Sequence, residues 1–355
     1  MIDGQTLTTV NDGQILPTIL MMIPCFLIAL VAGRFIIPWL RAMKAGQTIR
    51  EVGPSWHMSK TGTPAMGGLI FILAALIGTL GMGFAFGSWT SALVFAFALV
   101  FGAIGFLDDF FKVKKKQNLG LTALQKLLLQ LAACALYLYI LSRTGNLRTK
   151  QLDGGQLAAS IWVPFTSVRW FFPIWIYIPF SVFVIVGTVN AVNLTDGIDG
   201  LASGVTMPVM IFFLVTAIAL KQAELAILPA ALLGGLGGFL CYNFHPAKVF
   251  MGDTGSLFLG GAVCGLAFAL DMPLILILVG LVYIVETVSV ILQVGYFKLT
   301  KHLSSDHQGK RIFKMTPIHH HFEMSGWSEV KIWFVFVSVS IIMCVIAYLS
   351  TAPLR

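Results

Sequence analysis

Five aspartates in this 355-residue chain stand in company that suits phosphate and divalent-cation chemistry. Asp108 and Asp109 are adjacent in the run Phe106 to Lys112. Neighbouring helical residues point about 100° apart, so one carboxylate can face a metal or phosphate while the other holds a lysine or a backbone group. From Asn190 through Asn193, Asp196 and Asp199, a polar side chain recurs at every third residue, which places each beside the next on a helix. Gly197 and Gly200 loosen the backbone there and let it approach a ligand. Gly252-Asp253-Thr254-Gly255-Ser256 reads as a helix N-cap, and the same physics serves phosphate, with Asp253 left for a cation such as Mg²⁺. His319, His320 and His321 follow Pro317 and precede Glu323 in a predicted loop. They lack the i,i+4 spacing of a helical zinc pair, so they read as phosphate or sugar ligands, with one as a proton donor. Lys60 could hold a pyrophosphate or equally anchor a membrane boundary. Glu286, inside an apolar run, either pairs within the bundle or lines a groove. Any single one of these acids could be a helix cap or a lysine partner; their gathering at one face is the signal.

What must position them is a membrane bundle. Hydrophobic residues make up 57% of the chain and charged residues 11%, and the mean hydropathy is +0.89. A soluble domain carries about a quarter charged residues. The apolar runs are too long and continuous for the strands of a β-barrel. At about twenty residues per crossing, the spans are expected at roughly 16–40, 67–87, 89–107, 121–141, 172–190, 201–220, 225–244, 257–271, 273–297 and 331–350. The fold class is therefore all-α: a polytopic membrane protein of about ten transmembrane helices in a single domain over 1–355. The first fourteen residues hold Asp3 and Asp12 and no Lys or Arg, so the first span is expected to stay in the mature chain. The loops after the odd-numbered spans hold 16 of the 23 Lys and Arg, against 6 on the opposite side. That asymmetry puts both termini outside and the acids at the cytoplasmic face. The site is then expected on loops of about 41–66, 108–120, 190–200, 243–256 and 298–330.

The net charge of +8 fits this topology and an attraction to anionic membrane lipid; without a basic–aromatic patch it is no argument for nucleic acid. The five cysteines fall in spans and form no CxxC pair, which speaks against disulfides and a cysteine zinc site. Gly83/Gly87, Gly234/Gly238 and Gly261/Gly265 are spaced for close helix packing. The connection of about 142–171 is expected to hold a short hairpin or an interfacial helix.

Taken together and in this order, from Lys60 to Glu323, the motifs resemble the phospho-N-acetylmuramoyl-pentapeptide transferase family of the polyprenyl-phosphate N-acetylhexosamine-1-phosphate transferase superfamily. The aspartate motifs point to the superfamily, and Pro317 to Glu323, the PxHHHFE run, points to this branch. The resemblance implies a Mg²⁺-dependent homodimer in the bacterial cytoplasmic membrane. It also implies a reaction between UDP-N-acetylmuramoyl-pentapeptide and undecaprenyl phosphate that yields lipid I and UMP. Carried over by motif, Asp108, Asp109, Asp196 and Asp253 are the catalytic acids, with Asp253 the metal ligand and His320 a catalytic histidine. Asn190, Asn193, His319 and His321 match functional positions, and Lys60, Asn243, Phe250 and Gln293 resemble residues around the nucleotide. Ala65 stands where many relatives carry threonine.

The chemistry favours a direct displacement. A phosphate monoester has its second pKa near 6 and is mostly dianionic at neutral pH, so the acceptor needs little help from a base. The difficulty is joining two anions, which a cation at Asp253, Lys60 and the histidines would ease. A two-step route through an aspartyl-phosphate is the other possibility. The rival functions are a sister enzyme using UDP-N-acetylglucosamine, against which the histidine run argues, and a secondary transporter. Transporters place charges near the midplane, a position that only Glu286 fits here.

Overall fold

The computed structural model describes residues 12–43, 62–115, 120–143, 147–152, 155–304 and 308–355. Among the described residues, ten helices are long and apolar enough to cross a membrane. They are α1 (Ile15–Ala42), α2 (Gly68–Phe86), α3 (Thr90–Lys115), α4 (Ala123–Arg143), α5 (Ile174–Thr195), α6 (Leu201–Ala219), α7 (Ala223–Asn243), α8 (Gly252–Ala269), α9 (Leu281–Leu303) and, after a short α10 (Ile318–Glu323), α11 (Glu329–Leu354). In hydrocarbon, intrahelical pairing is the one way for a single span to satisfy its own backbone, which is why each apolar run folds this way.

Helix α8 is the hub. Every residue from Thr254 to Ala269 is buried, with α3 packed most extensively against it and α5 along another side. Small residues permit this: Gly261 and Gly265 meet α3 at Ala98 and Val94, and Gly234 and Gly238 of α7 meet α1. The third glycine pair behaves otherwise. Gly87 ends α2 in the left-handed conformation at φ 66, with nothing close to it.

Four spans differ by five residues or more from their expected bounds, and each difference bears on the site: α5 runs on to Thr195 rather than about 190. Helix α3 runs on to Lys115, so Asp108 and Asp109 lie inside it. At 26 residues it is roughly 39 Å long against a hydrocarbon core of roughly 30 Å, and its acidic turns overhang. Helix α8 starts at Gly252, which puts Asp253 in its first turn. The ninth span is broken. Pro273–Ile275 forms a 3₁₀ turn and Leu276–Val279 a single α turn, then Gly280 leaves helical geometry at φ −96, ψ 11 before α9 begins.

The connection between α4 and α5 is a three-stranded antiparallel sheet, a hairpin with one strand added. Its strands are β1 (Thr149–Gln151), β2 (Leu157–Trp162) and β3 (Arg169–Pro173). Asp271, just past α8, pins it: Ser160 donates to its carboxylate at 3.0 Å, Arg169 pairs with it, and Arg148 lies 3.8 Å away. Burial pushes the Asp271 carboxyl up to about 6, against the pull of Arg169, Ser160 and Arg148. The five cysteines are free thiols spread over five spans.

Candidate active site

The ends of α3, α5 and α8 meet at one point, beside the start of α4. Helix α8 has no cap of its own. Asp109 of α3 supplies one: its carboxylate accepts from the Thr254 amide at 2.9 Å, the Thr254 hydroxyl at 2.7 Å and the Asp253 amide at 3.3 Å. This satisfies donors that a helix start leaves orphaned and sets a negative charge at the positive end of the dipole. Two glycines make the approach possible. A methyl at Gly105 would run into the Asp253 carbonyl, and one at Gly252 (φ 73) would sit 2.6 Å from Asp109 Oδ2.

Asp253, so placed, is held from three sides. Lys112 and Lys126 each stand 3.0 Å from its Oδ2. Asn193 of α5 donates to Oδ1 at 2.8 Å and contacts Ser256 Oγ at 2.8 Å, which fixes the carboxylate's orientation. Asp108, offset from Asp109 by about 100° around α3, reaches the same lysine from the side. Its Oδ2 is 2.6 Å from Lys112 Nζ and its Oδ1 accepts from the Leu121 amide at 2.8 Å. Asp196 ends α5 as its C-cap. Burial beside Asp253 and Asp109 pushes its carboxyl up to about 8, although the Gly252 amide pulls it down.

Four acids thus face two lysines, an acidic excess even with Asp196 protonated. Oxygens of Asp108, Asp109 and Asp253 lie within 4.8 Å of one another. An all-oxygen, carboxylate-rich set with that residual charge fits Mg²⁺, which takes one or two carboxylates and leaves the rest of its sphere to water and phosphate.

Asp199 turns elsewhere, although the sequence groups it with the other four. It belongs to a second set able to hold a metal, with His245 and Glu329. Its Oδ2 contacts His245 Nδ1 at 2.9 Å and accepts from the Ala247 amide at 3.0 Å, while its own amide donates to Glu329 at 3.1 Å. These bonds tie the α5–α6 turn, the α7–α8 loop and the first turn of α11 to one another.

The histidines lie on α10, a six-residue helix where a loop was expected, and they point three ways. His319 is fully buried, with Nδ1 3.0 Å from Glu286 Oε2. His320 has Nδ1 2.6 Å from Glu323 Oε2. His321 Nδ1 accepts from the Lys314 amide at 3.2 Å, and its ring lies 5.7 Å from that of Phe313.

Other residues singled out in the sequence are engaged in hydrogen bonds of their own. Asn190, one turn below Asn193, donates to Gln130 of α4 at 2.9 Å. Asn243 donates to the Val249 carbonyl at 3.0 Å and accepts from Ser203 at 3.2 Å, fixing the α7–α8 loop. Phe250 in that loop is half-buried, and its backbone pairs with Pro64 and Gly67 at 2.8 Å each. Gln293 spends its amide on the backbone of Ile312 and Phe313, three bonds of 3.0 Å. Lys60 lies outside the described residues.

Sequence reasoning counted Lys112 and Lys126 only as topology charges. Lys112 had a signal: it follows Asp108 by four residues and Asp109 by three, the spacing of neighbours on a helix. Lys126 had none, since its partner lies 127 positions away.

A bundle of apolar helices that closes over carboxylates, two lysines and a helix N-terminus defines a membrane-embedded phosphotransferase. Residues 89–271 match the model of glycosyl transferase family 4. The chain is 48% identical over 328 residues to a phospho-N-acetylmuramoyl-pentapeptide-transferase of Caldanaerobacter subterraneus, covering 92% of this chain and 96% of that one. It is 46% identical over 330 residues to the enzyme of the same name from Clostridium acetobutylicum, with 92% and 96% covered. Against that from Carboxydothermus hydrogenoformans it is 47% identical over 328 residues, with 91% and 95% covered. The chain belongs to the phospho-N-acetylmuramoyl-pentapeptide-transferase family.

Proposed function

We propose that the chain transfers phospho-N-acetylmuramoyl-pentapeptide from its UDP carrier to undecaprenyl phosphate, giving lipid I and UMP. The observation that carries this reading is Asp253, a helix-N-terminal carboxylate shared by two lysines within a cluster of three further acids. Family membership supplies the substrates: the relatives carry this activity in their name. Asp253, with Asp108, would hold Mg²⁺, which when bound offsets the charge of the phosphates and of the departing UMP.

The chain's own residues do the rest. An oxygen of the lipid phosphate attacks the phosphorus that bears the sugar, the bond from that phosphorus to the bridging oxygen breaks, and UMP leaves with the electron pair. Lys112 and Lys126, poised at Asp253, are the donors that can turn to the phosphate oxygens. Asn193 keeps Asp253 in one orientation. His320, backed by Glu323, is placed as a proton donor or phosphate ligand. Lys60, His319, His321, Asn190, Asn243, Phe250 and Gln293 are assigned to the nucleotide and sugar side as contacts or as supports of the walls. Direct displacement is the better route, because Asp109 already accepts three bonds from α8 and both oxygens of Asp108 are engaged. Neither is a bare nucleophile.

The excess of Lys and Arg on the loops at this end supports a cytoplasmic site and external termini in the bacterial cytoplasmic membrane. A homodimer is expected on the family resemblance, and sedimentation of the purified protein tests it. The decisive experiment supplies purified protein with Mg²⁺, undecaprenyl phosphate and each UDP-sugar in turn, and follows UMP. Release with the muramoyl-pentapeptide donor is expected. Release with UDP-N-acetylglucosamine alone would assign the sister reaction instead.

A further inference from the structure

Glu286 is a carboxylate with no lysine or arginine paired to it among the described residues. It lies in the second turn of α9, fully buried, and roughly 26 Å of helix separates it from Leu303 at the end of α9. A buried carboxylate among membrane helices is costly and is retained where it has a partner or a task. Its partner is His319, also fully buried, whose Nδ1 is 3.0 Å from Glu286 Oε2. The chain after α9 must therefore turn back and descend along that helix to bring α10 to this depth.

Two atoms of the pair are left over. His319 Nε2 and Glu286 Oε1 are buried and have no hydrogen-bond partner among the described residues. A purely structural anchor has no use for such atoms, because each unpaired buried polar group opposes folding. The His319 ring edge instead fills a notch in the α5–α6 turn. A methyl at Gly197 would collide with Nε2 and lie 2.5 Å from Cε1. Gly197 follows Asp196, whose carboxyl feels Asp253 and Asp109 directly. One line of contacts thus joins Glu286, His319, Gly197 and the acid cluster. The His319 and His320 rings are 4.1 Å apart, so the first is in contact with the second, which Glu323 also holds.

We propose that Glu286 is a positioning residue for phosphate transfer: it grips His319 through Nδ1, directs Nε2 at the Asp196–Gly197 turn, and thereby sets the placement of α10 with His320 and His321. The inference rests on the phosphotransfer reading of the site. A carboxylate behind Nδ1 fixes the tautomer and orientation of an imidazole, and losing such a partner typically lowers activity by about 10–100-fold.

The test uses the full chain in detergent micelles or lipid nanodiscs. Glu286→Ala is expected to lower kcat about 10–100-fold. Glu286→Gln keeps an acceptor for the Nδ1 proton and should recover most of the lost kcat. Gly197→Ala, which crowds Nε2 with Glu286 intact, should reproduce the Ala phenotype. Without substrate, amide exchange should rise across Ile318–Glu323 in Glu286→Ala, remain near wild type in Glu286→Gln, and stay unchanged in α8. Unaltered exchange in Glu286→Ala, or a loss of kcat that Gln does not relieve, would overturn the proposal. A wild-type protein that released no UMP would remove the functional reading, and the exchange measurement would still decide whether Glu286 anchors α10.

Discussion

The carboxylate of Asp109 receives both the amide and the hydroxyl of Thr254, at 2.9 and 2.7 Å, and so caps a helix to which it does not belong. The bond sets the position of Asp253, the preceding residue in α8. Thr254→Val keeps the shape and removes one donor to a charged acceptor, at a cost of about 1.5–3 kcal/mol. Lower thermal stability in detergent is expected, together with a drop in kcat of about ten-fold as Asp253 shifts. Thr254→Ser keeps the hydroxyl and should stay close to wild type in both. If Val and Ser behave alike, the cap does not govern the site.

Lys112 and Lys126 occupy the same oxygen of Asp253, so a cation that binds there must displace at least one of them. Lys126→Met removes a competitor. Mg²⁺ should then bind more tightly in the absence of substrate, by about ten-fold if 1.4 kcal/mol of competition is relieved. Turnover should fall all the same, because an ammonium that meets the phosphates is gone. A Mg²⁺ titration followed by thermal shift, set beside the rate of UMP release, reads both. Weaker Mg²⁺ binding in the variant would show that the lysine helps to build the cation site rather than competing for it.

The membrane frame was legible in the sequence because lipid imposes a simple rule, some twenty apolar residues per crossing. The interruptions were not. Gly280 sits in a run that stays apolar on both sides, and nothing in that run marks the break before α9. The acids could be gathered from topology, yet their division of labour is a tertiary matter. Asp109 caps α8 across 145 positions of sequence, and Asp199 joins His245 and Glu329 from other loops. Three identical histidines in a row carry no mark of which one faces inward; burial of His319 against Glu286 decides it. Gln293, which the family resemblance sets near the nucleotide, also holds the returning loop at Ile312 and Phe313, a contact no sequence spacing announces.

On the other end of the bundle, Asp271 predicts a dependence of stability on pH. Its carboxyl is raised to about 6 in the folded protein, against about 3.9 in an unfolded chain. Below pH about 4 both states hold the proton. Between about 4 and 6 the unfolded chain has lost it and the folded one has not, so unfolding free energy declines across that window and levels off above it. The contribution lost is on the order of 2 kcal/mol. Unfolding of Asp271→Asn, measured across the same range, should lack this decline. An identical slope in the variant and the wild type would remove Asp271 as its source.

Glycines give the sharpest separation between packing at the site and packing elsewhere. Gly252 is left-handed at φ 73 and a methyl there would lie 2.6 Å from Asp109 Oδ2, so Gly252→Ala adds about 1–2 kcal/mol of backbone strain and pushes on the capping carboxylate. Gly105→Ala drives a methyl into the Asp253 carbonyl, which as backbone cannot yield without moving α8. Gly81 lies mid-helix in α2 with nothing within 4 Å, and Gly81→Ala should be neutral or stabilising by up to about 1 kcal/mol. All three should reach the membrane; only the first two should lose UMP release, each by about 100-fold where a shift of about 1 Å suffices for that loss. Wild-type turnover in Gly105→Ala would mean that the close approach of α3 to α8 is not what holds Asp253 in place.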